Sequence, residues 1–276
     1  MYTLNCKGRL LVIEKPVVMG ILNITPDSFY SGSRVQQLDD ILAKAEQMIN
    51  EGVAILDIGG QTTKPGSDRL TAKEELQRVL PAIQQIKEKF PDTFLSIDTY
   101  HAQVAKEAVE AGADIVNDIS AGEMDDQMLS TVAALHVPYI AMHMKGTPAT
   151  MQQNAVYEDV AKEVIDYFIQ KMDECKQAGI TDIMIDPGFG FGKTIEHNFQ
   201  VLKKLEAFQI FHVPVLAGLS RKSTIWKTLK ITPEEALNGS TVLNTIALTK
   251  GAAILRVHDV KEAVEAIELY NTYQNS

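Results

Sequence analysis

The chain has little of what marks a secreted, membrane-spanning or nucleic-acid-binding protein. Among its 276 residues the only cysteines are Cys6 and Cys175, too few for a disulfide framework. No apolar run approaches the roughly 18 residues that cross a bilayer, and residues 1–6 lack the character of a signal peptide. The formal net charge of −10 argues against a nucleic-acid-binding surface. These absences predict a cytoplasmic protein with neither a membrane nor a nucleic acid as partner.

What the chain does contain is a repeated pattern in which a short apolar run ends on a polar residue. The runs and their polar ends are Val17 to Leu22 with Asn23, Ala54 to Leu56 with Asp57, Phe94 to Ile97 with Asp98, Ile115–Val116 with Asn117, Tyr139 to Met142 with His143, Ile183 to Ile185 with Asp186, Val215 to Ala217 with Ser220–Arg221–Lys222, and Ile254–Leu255 with Arg256–Val257–His258. Helical patterns separate the runs. Parallel strands gather their C-terminal ends at one face of a barrel, so these polar side chains should line one pocket.

The pattern predicts a single α/β domain, a (β/α)8 TIM barrel with a short N-terminal β-hairpin. We place the hairpin in residues 1–16, turning at Lys7–Gly8, the barrel in residues 17–270 and a polar tail in residues 271–276. Alternation of strands and helices by itself leaves a doubly wound sheet open. A Rossmann sheet should carry Gly-x-Gly-x-x-Gly after its first strand, whereas Asn23 to Asp27 stand there.

The segment from Asp186 to Thr194 contains three glycines and resembles a phosphate-binding P-loop. It departs from that motif at Pro187, where a glycine is required. We interpret it as a strand-end loop whose glycines allow the backbone, or an aromatic ring such as Phe191, to approach a flat ligand closely.

Two sets of strand-end residues indicate the ligand. Lys222, Arg256 and His258 are donors suited to an anion such as phosphate. The carboxylates and amide that end four other runs suit a heterocycle rich in N–H groups, such as a 2-amino-4-oxo pterin or guanine; they are Asp57, Asp98, Asn117 and Asp186. A structural polar network is the alternative. No zinc motif or Ser/His/Asp pattern is visible, so the metal we expect is Mg²⁺ at a diphosphate.

Eight segments, taken together and in order, resemble the dihydropteroate synthases, a family of pterin-binding barrels. They are Gly20 to Phe29, Asp57 to Gly66, Ser96 to Tyr100, Val116 to Ile119, Met142 to Pro148, Asp186 to Lys193, Gly218 to Ser223 and Arg256 to Val260. The resemblance implies condensation of 6-hydroxymethyl-7,8-dihydropterin diphosphate with 4-aminobenzoate, giving 7,8-dihydropteroate and pyrophosphate in folate biosynthesis. It also implies Mg²⁺, sulfonamides as inhibitors and a homodimer.

The resemblance further implies a role for each matching residue. The catalytic residues would be Lys222, Arg256 and His258. The pterin would contact Asp98, Asn117, Asp186, Lys222, Arg256, Met142 and Phe191. The diphosphate would be held by Asn23, Thr63, Arg256 and His258, with Asn23 also on the metal. The aminobenzoate site would be shaped by Phe29, Thr63, Lys64, Pro65 and Ser220.

Two loop positions depart from the family pattern. The family usually has Glu-Ser-Thr-Arg-Pro where this chain has Gln61 to Pro65, so lysine at 64 replaces the arginine fork. Ser31 stands where the first loop usually has a carboxylate that helps to hold Mg²⁺. Two alternatives therefore stay open: a pterin-binding methyltransferase domain that presents methyltetrahydrofolate to a corrinoid partner, and a non-catalytic pterin-binding barrel.

Overall fold

The computed structural model of the protein describes residues 1–24, 34–61, 69–147 and 155–276. The chain begins with an antiparallel hairpin of β1 (Tyr2–Cys6) and β2 (Arg9–Ile13), which turns at Lys7 and Gly8, both with positive φ. Apolar side chains of this hairpin pack against the barrel interior at residues such as Met19 and Ile115. The predicted hairpin is confirmed, and it covers the end of the barrel opposite the strand C-termini.

Strands and helices then alternate along the chain. They are β3 (Val17–Asn23), α1 (Arg34–Asn50), β4 (Ile55–Gly59), α2 (Ala72–Lys89), β5 (Phe94–Asp98), α3 (Ala102–Glu110), β6 (Ile115–Asp118), α4 (Met128–Leu135), β7 (Tyr139–Met142), α5 (Val160–Ala178), β8 (Ile183–Asp186), α6 (Ile195–Lys203), a 3₁₀ helix (Leu205–Phe211), β9 (Leu216–Ala217), α7 (Ser223–Leu229), α8 (Leu237–Thr249), β10 (Ile254–Val257) and α9 (Val260–Gln274). The boundary predicted at residue 270 falls inside α9.

The strands form a closed parallel barrel, as predicted, and not a doubly wound sheet. Among the described residues, the sheet order is β8-β7-β6-β5-β4-β3-β10-β9. A bridge between Ile185 and Val215 joins the first and last strands, and the Ile185 amide donates to the Pro214 carbonyl over 3.1 Å. The barrel strands are enclosed on both faces, and β4 is buried along its whole length. Burial on both faces requires apolar residues at nearly every position, which explains the apolar runs in the sequence.

Local signals fix where the helices begin. Thr71 and Glu74 form a capping box at the start of α2, with the Thr71 amide donating to Glu74 Oε2 over 2.8 Å and the Glu74 amide to Thr71 Oγ1 over 3.3 Å. Such reciprocal bonds satisfy amides that a helix start leaves free. The helix that starts there buries an apolar stripe, which includes Val79, Ile83 and Ile86, against the barrel.

Several strands run past the polar residue at which the sequence pattern ended them. β4 continues to Gly59, so Asp57 is its middle residue and lies in register with Ser96, whereas Gly59 lies in register with Asp98. Asp57 is therefore one layer deeper in the barrel than Asp98. A β-carbon added to Gly59 would lie 3.3 Å from Asn23 Oδ1 and 3.6 Å from Asp98 Cβ, so the glycine leaves open the space above Asp57.

Candidate active site

An arginine held between two carboxylates lies at the centre of the C-terminal face of the barrel. Arg256, on β10, donates from Nε to Asp57 Oδ2 over 2.6 Å and from Nη2 to Asp98 Oδ2 over 2.5 Å. These bonds join β10 to β4 and β5 across the barrel mouth. Charge-assisted bonds of this kind fix both the position and the plane of a guanidinium. The face of Arg256 is thus held in a set orientation within the cleft.

Asp57 was predicted from the strand-end pattern as one of the carboxylates suited to a heterocycle, but the family resemblance gave it no role. Its side chain is completely buried, and Oδ2 accepts from Asn117 Nδ2 over 3.2 Å as well as from Arg256. Oδ1 has no hydrogen-bond partner within the described part of the chain. The available signal was its membership in the same strand-end pattern as Asp98 and Asp186.

A second charged pair faces the same cleft from β8 and the loop after β9. Asp186 Oδ1 accepts from the Gly188 amide over 2.8 Å. A β-carbon added to Gly218 would lie 3.8 Å from Asp186 Oδ2 and 3.6 Å from Lys222 Nζ. The carboxylate and the ammonium therefore face one small volume beside Gly218. Lys222 also donates to the Phe189 carbonyl, and its Nζ lies 4.9 Å from the centre of the Phe191 ring.

Burial and charge oppose one another in this cleft. Burial raises the pKa of Asp98, and the cation of Arg256 counteracts this effect. Burial likewise raises the pKa of Asp186, which Lys222 counteracts, while burial lowers the pKa of Lys222 to about 8. Burial acts to lower the pKa of Arg256, but the carboxylates of Asp57 and Asp98 outweigh this effect and raise the pKa above its usual value. The guanidinium remains charged and is a fixed cation of the site.

His258 lies at the rim of the cleft and is oriented by Ser220. The Ser220 hydroxyl lies 3.2 Å from His258 Nδ1 and also accepts from the His258 amide over 3.2 Å. Desolvation, followed by the charge of Arg256, lowers the pKa of His258 to about 4, although the residue reaches the surface. The lowered pKa favours the neutral form of the ring. Ser220 Oγ already accepts from the His258 amide, so we assign the Ser220 hydroxyl as the donor to His258 Nδ1. The ring proton of His258 is then on Nε2, which is the free donor.

Asn23 and His258 line one groove beside α1. Its volume is about 500 Å³, and the other lining residues are Ile21, Leu22, Asp40, Ala43, Lys44 and Gln47. Lys44 adds a cation that the sequence analysis did not identify, with Nζ 3.2 Å from Gln47 Oε1. The groove is open and borders the cleft of Arg256, so it offers polar donors next to the charged centre.

An apolar wall closes another side of the cleft. Met142 packs in a buried cluster with Tyr100, Ile119 and Met144, and Phe191 lies against that cluster. The structure thus brings together the two residues predicted as apolar walls. His143 follows Met142 but faces away from the cleft, since alternate residues of a strand point to opposite faces. Its ring packs edge-on against Tyr167 of α5, with 4.9 Å between ring centres.

Some of the predicted site residues lie outside the described part of the chain. These are Phe29, Thr63, Lys64 and Pro65, together with Ser31. Within the described ranges, no group of three or more His, Cys, Asp or Glu side chains could hold a metal ion. The neutral side-chain oxygen of Asn23 is compatible with Mg²⁺, which commonly keeps several waters and substrate oxygens as ligands.

Comparison with known proteins gives one consistent result. The family model of the pterin-binding enzymes matches residues 19–258. The dihydropteroate synthase of Escherichia coli (strain K12) is 44% identical over 268 residues, which cover 96% of this chain and 94% of that protein. The Yersinia pestis dihydropteroate synthase in complex with a sulfonamide drug superposes with a TM-score of 0.94 at 39% identity, covering 100% of both chains. The Xanthomonas albilineans enzyme with 4-aminobenzoic acid gives a TM-score of 0.93 at 39% identity, covering 99% and 98%.

Proposed function

The chain belongs to the dihydropteroate synthases, transferases of folate biosynthesis among the pterin-binding enzymes, and we propose how its own residues carry out the condensation. The reaction joins 6-hydroxymethyl-7,8-dihydropterin diphosphate to 4-aminobenzoate and releases pyrophosphate. The observation that carries the proposal is the arginine fixed between Asp57 and Asp98 beside the Asp186 and Lys222 pair. This arrangement places hydrogen-bonding side chains for a heterocycle next to a cation for a departing anion.

The pterin ring binds by a matching pattern of donors and acceptors. The 2-amino-4-oxo edge of a pterin carries N–H donors next to a carbonyl oxygen. Asp186 and Lys222 face the same volume beside Gly218, so a carboxylate acceptor and an ammonium donor are available side by side. Asp98 and Asn117 supply further polar contacts around the ring. The guanidinium of Arg256 lies against the ring face, with Met142 and Phe191 as apolar walls.

Pyrophosphate leaves from a methylene attached to an electron-rich dihydropterin, which can delocalise the positive charge that develops. This favours an SN1-like displacement in which the enzyme stabilises charge and supplies no nucleophile. Arg256 donates to the leaving oxygens, and His258 presents a neutral Nε2–H to the same group. Aminobenzoate then attacks the methylene carbon through its amino nitrogen and loses a proton.

Mg²⁺ fits the rim of the cleft as an ion held mainly by substrate phosphates and water. Asn23 Oδ1 lies 3.3 Å from a β-carbon placed on Gly59, near the groove that His258 lines. Asn23 is the described residue that we assign to the metal. When bound there, Mg²⁺ would neutralise negative charge on the departing pyrophosphate.

The aminobenzoate site stays a prediction for this chain. Phe29, Thr63, Lys64 and Pro65 belong to it on the resemblance alone, since they lie outside the described residues. Ser220 was predicted there too, and its hydroxyl is buried and bonded to His258. We propose that Ser220 acts by orienting His258 at the border of this site. Support for such a site comes from the related Xanthomonas albilineans structure, which contains 4-aminobenzoic acid.

We propose a homodimer that works in the cytoplasm. Helix α8 contains no charged residue, and its exposed positions include Val242 and Ile246, which are 49% and 39% exposed. Leu229 of α7, 52% exposed, adds to this apolar surface, which a second copy of the chain would cover. Cys6 and Cys175 are free and buried, in keeping with a reducing compartment. No helix in the described ranges is long and apolar enough to cross a membrane.

Pyrophosphate release with both substrates tests the proposal. We expect turnover that requires the pterin diphosphate, aminobenzoate and Mg²⁺ together. Pterin binding without turnover would favour the non-catalytic barrel, and methyl transfer from methyltetrahydrofolate to a corrinoid protein would favour the methyltransferase. Asp186→Asn should weaken pterin binding by about 1.5–3 kcal/mol, the range for a hydrogen bond to a charged group, while the fold persists. Unchanged pterin affinity in that variant would reject the assigned role of Asp186.

A further inference from the structure

Lys193 ends the glycine-rich loop that follows β8, and its side chain is directed into the protein. In a P-loop the equivalent lysine would reach a phosphate, but here the residue is only 3% exposed. The loop of residues 187–193 carries Phe189, whose carbonyl accepts from Lys222, and Phe191, whose ring borders the cleft. The function described above gives Lys193 no task.

The amine of Lys193 has four acceptors within hydrogen-bond distance. Nζ lies 2.8 Å from His143 Nδ1, 3.0 Å from the Gly188 carbonyl oxygen, 3.2 Å from the Phe191 carbonyl oxygen and 3.4 Å from the His143 carbonyl oxygen. Two of these acceptors belong to the loop itself, and the other two belong to His143, just beyond β7. A lysine has at most three N–H donors, so each of them has an acceptor here. Lys193 thereby connects both halves of the loop to the end of β7.

His143 is suited to be the fixed partner in this arrangement. Desolvation, and then the cation of Lys193, lower the pKa of His143 to about 2, so its ring is neutral. Nδ1 faces the ammonium, and we therefore assign the ring proton to Nε2. The edge-on contact with Tyr167 of α5 holds the ring in place behind the barrel wall.

The loop backbone is pressed against the segment after β7. A β-carbon added to Gly188 would lie 1.9 Å from the His143 carbonyl oxygen, and one added to Gly192 would lie 2.5 Å from the Lys145 carbonyl oxygen. Both glycines have positive φ. Such close packing brings several carbonyls together around a side chain that is only 3% exposed. The N–H groups of Lys193 are the donors that satisfy these carbonyls, and burial lowers the pKa of this lysine to about 7.

We propose that Lys193 is a positioning residue for the condensation: it holds loop 187–193 so that the Phe189 carbonyl fixes Lys222 and the Phe191 ring meets the pterin. This inference rests on the proposed function. Lys193 touches no substrate and acts through the loop. Substrate groups held even about 1 Å out of place can cost on the order of 10²-fold in rate, so loosening the loop should matter for the pterin.

Lys193→Met tests the proposal, because methionine keeps the length of the chain and removes the charge and the three donors. We expect the dissociation constant for 6-hydroxymethyl-7,8-dihydropterin, measured by calorimetry, to rise about tenfold or more. KM for the pterin diphosphate should rise similarly, and KM for aminobenzoate at saturating pterin should stay near that of the parent. Thermal unfolding should show a folded protein.

Lys171→Met is the matched control. Lys171 is also buried, at 7% exposed, but its Nζ bonds to Glu174 Oε2 over 2.6 Å on the surface of α5. This variant should keep parental pterin affinity. Parental affinity in folded Lys193→Met, or an equal loss in both variants, would overturn the proposal.

His143 provides a second route should Lys193→Met fail to fold. His143→Gln keeps an acceptor for Lys193, and His143→Leu removes it. Weaker pterin binding in His143→Leu than in His143→Gln supports the proposal, and equal binding overturns it. If the parent bound the pterin but released no pyrophosphate, the proposed function would fail while the positioning role of Lys193 could still be judged from binding.

Discussion

Replacing Asp57 by asparagine should test most directly whether Asp57 positions the guanidinium of Arg256 in the cleft. The substitution keeps the size and shape of the side chain and removes its charge. Asp57 Oδ2 accepts from Arg256 Nε over 2.6 Å and from Asn117 Nδ2 over 3.2 Å, in a side chain with no solvent exposure. Asp98 would still bond to Arg256, so the guanidinium keeps one carboxylate partner.

The expected magnitude follows from that geometry. One charge-assisted hydrogen bond contributes about 1.5–3 kcal/mol. Since each 1.36 kcal/mol is a factor of ten in rate, kcat/KM for the pterin diphosphate should fall roughly 10- to 150-fold. Loss of a whole buried ion pair would cost about 3–5 kcal/mol, but the remaining bond to Asp98 limits the loss.

Steady-state pyrophosphate release and thermal unfolding should be measured on the same samples. Asp114→Asn is the control, because Asp114 is also a buried carboxylate, bonded to Arg9 and Lys87 over 3.0 Å each, before β6 at the opposite end of the barrel. It should affect stability and leave KM for the pterin diphosphate unchanged. Equal kinetic losses in both variants, or parental kcat/KM in Asp57→Asn, would refute the idea that Asp57 positions Arg256.

Three further predictions concern the loops and the helix α2. Gly188→Ala should lower the unfolding temperature, because alanine at positive φ costs about 1–2 kcal/mol and its β-carbon would strike the His143 carbonyl. Gly218→Ala should not lower it, because its β-carbon would come no closer than 3.6 Å to the nearest neighbouring side chain, and equal melting temperatures of the two variants would contradict this prediction. Burial raises the pKa of Glu75 in the folded protein, so its contribution to stability is present at low pH and is lost as pH rises through the pKa of the folded state. Glu75→Gln should therefore flatten the pH dependence of the free energy of unfolding, measured by denaturant titrations at several pH values. Ser31→Asp combined with Lys64→Arg should lower the Mg²⁺ concentration that gives half-maximal rate, and an unchanged dependence would show that these positions do not control the metal.

The barrel and the main set of pocket residues could be predicted because parallel strands impose simple geometry. Every strand of the barrel presents its C-terminal end to the same face, so polar residues that end apolar runs converge there. Asp98, Asn117, Asp186 and Arg256 lie together for this reason, without any need to know side-chain conformations. The alternation of apolar runs and polar end residues in the sequence was therefore enough to predict which residues lie together.

Depth and direction within the barrel were harder to predict. Asp57 is buried beneath Asp98 because β4 extends to Gly59, and strand ends and register depend on neighbouring strands. The orientation of His143 was present in the sequence, since an inward Met142 requires an outward neighbour. The bond between Ser220 and His258 joins residues 38 positions apart, and only the folded loops reveal it. The role of Lys193 was hidden for the same reason, because its acceptors are loop carbonyls and a histidine 50 residues earlier in the chain.

The balance of charges in the described cleft explains why a metal is expected at its rim. Asp57 and Asp98 lie against Arg256, and Asp186 faces Lys222; Lys193, whose pKa burial lowers to about 7, lies behind them. Carboxylates and cations therefore offset one another before any ligand binds. Such a site recognises a pterin through hydrogen bonds, but Arg256, already bonded to two carboxylates, can offset only part of the negative charge of a diphosphate. His258 adds a neutral donor and Asn23 a neutral oxygen. We therefore propose that Mg²⁺, arriving with the substrate, would offset the rest of the negative charge of the leaving group.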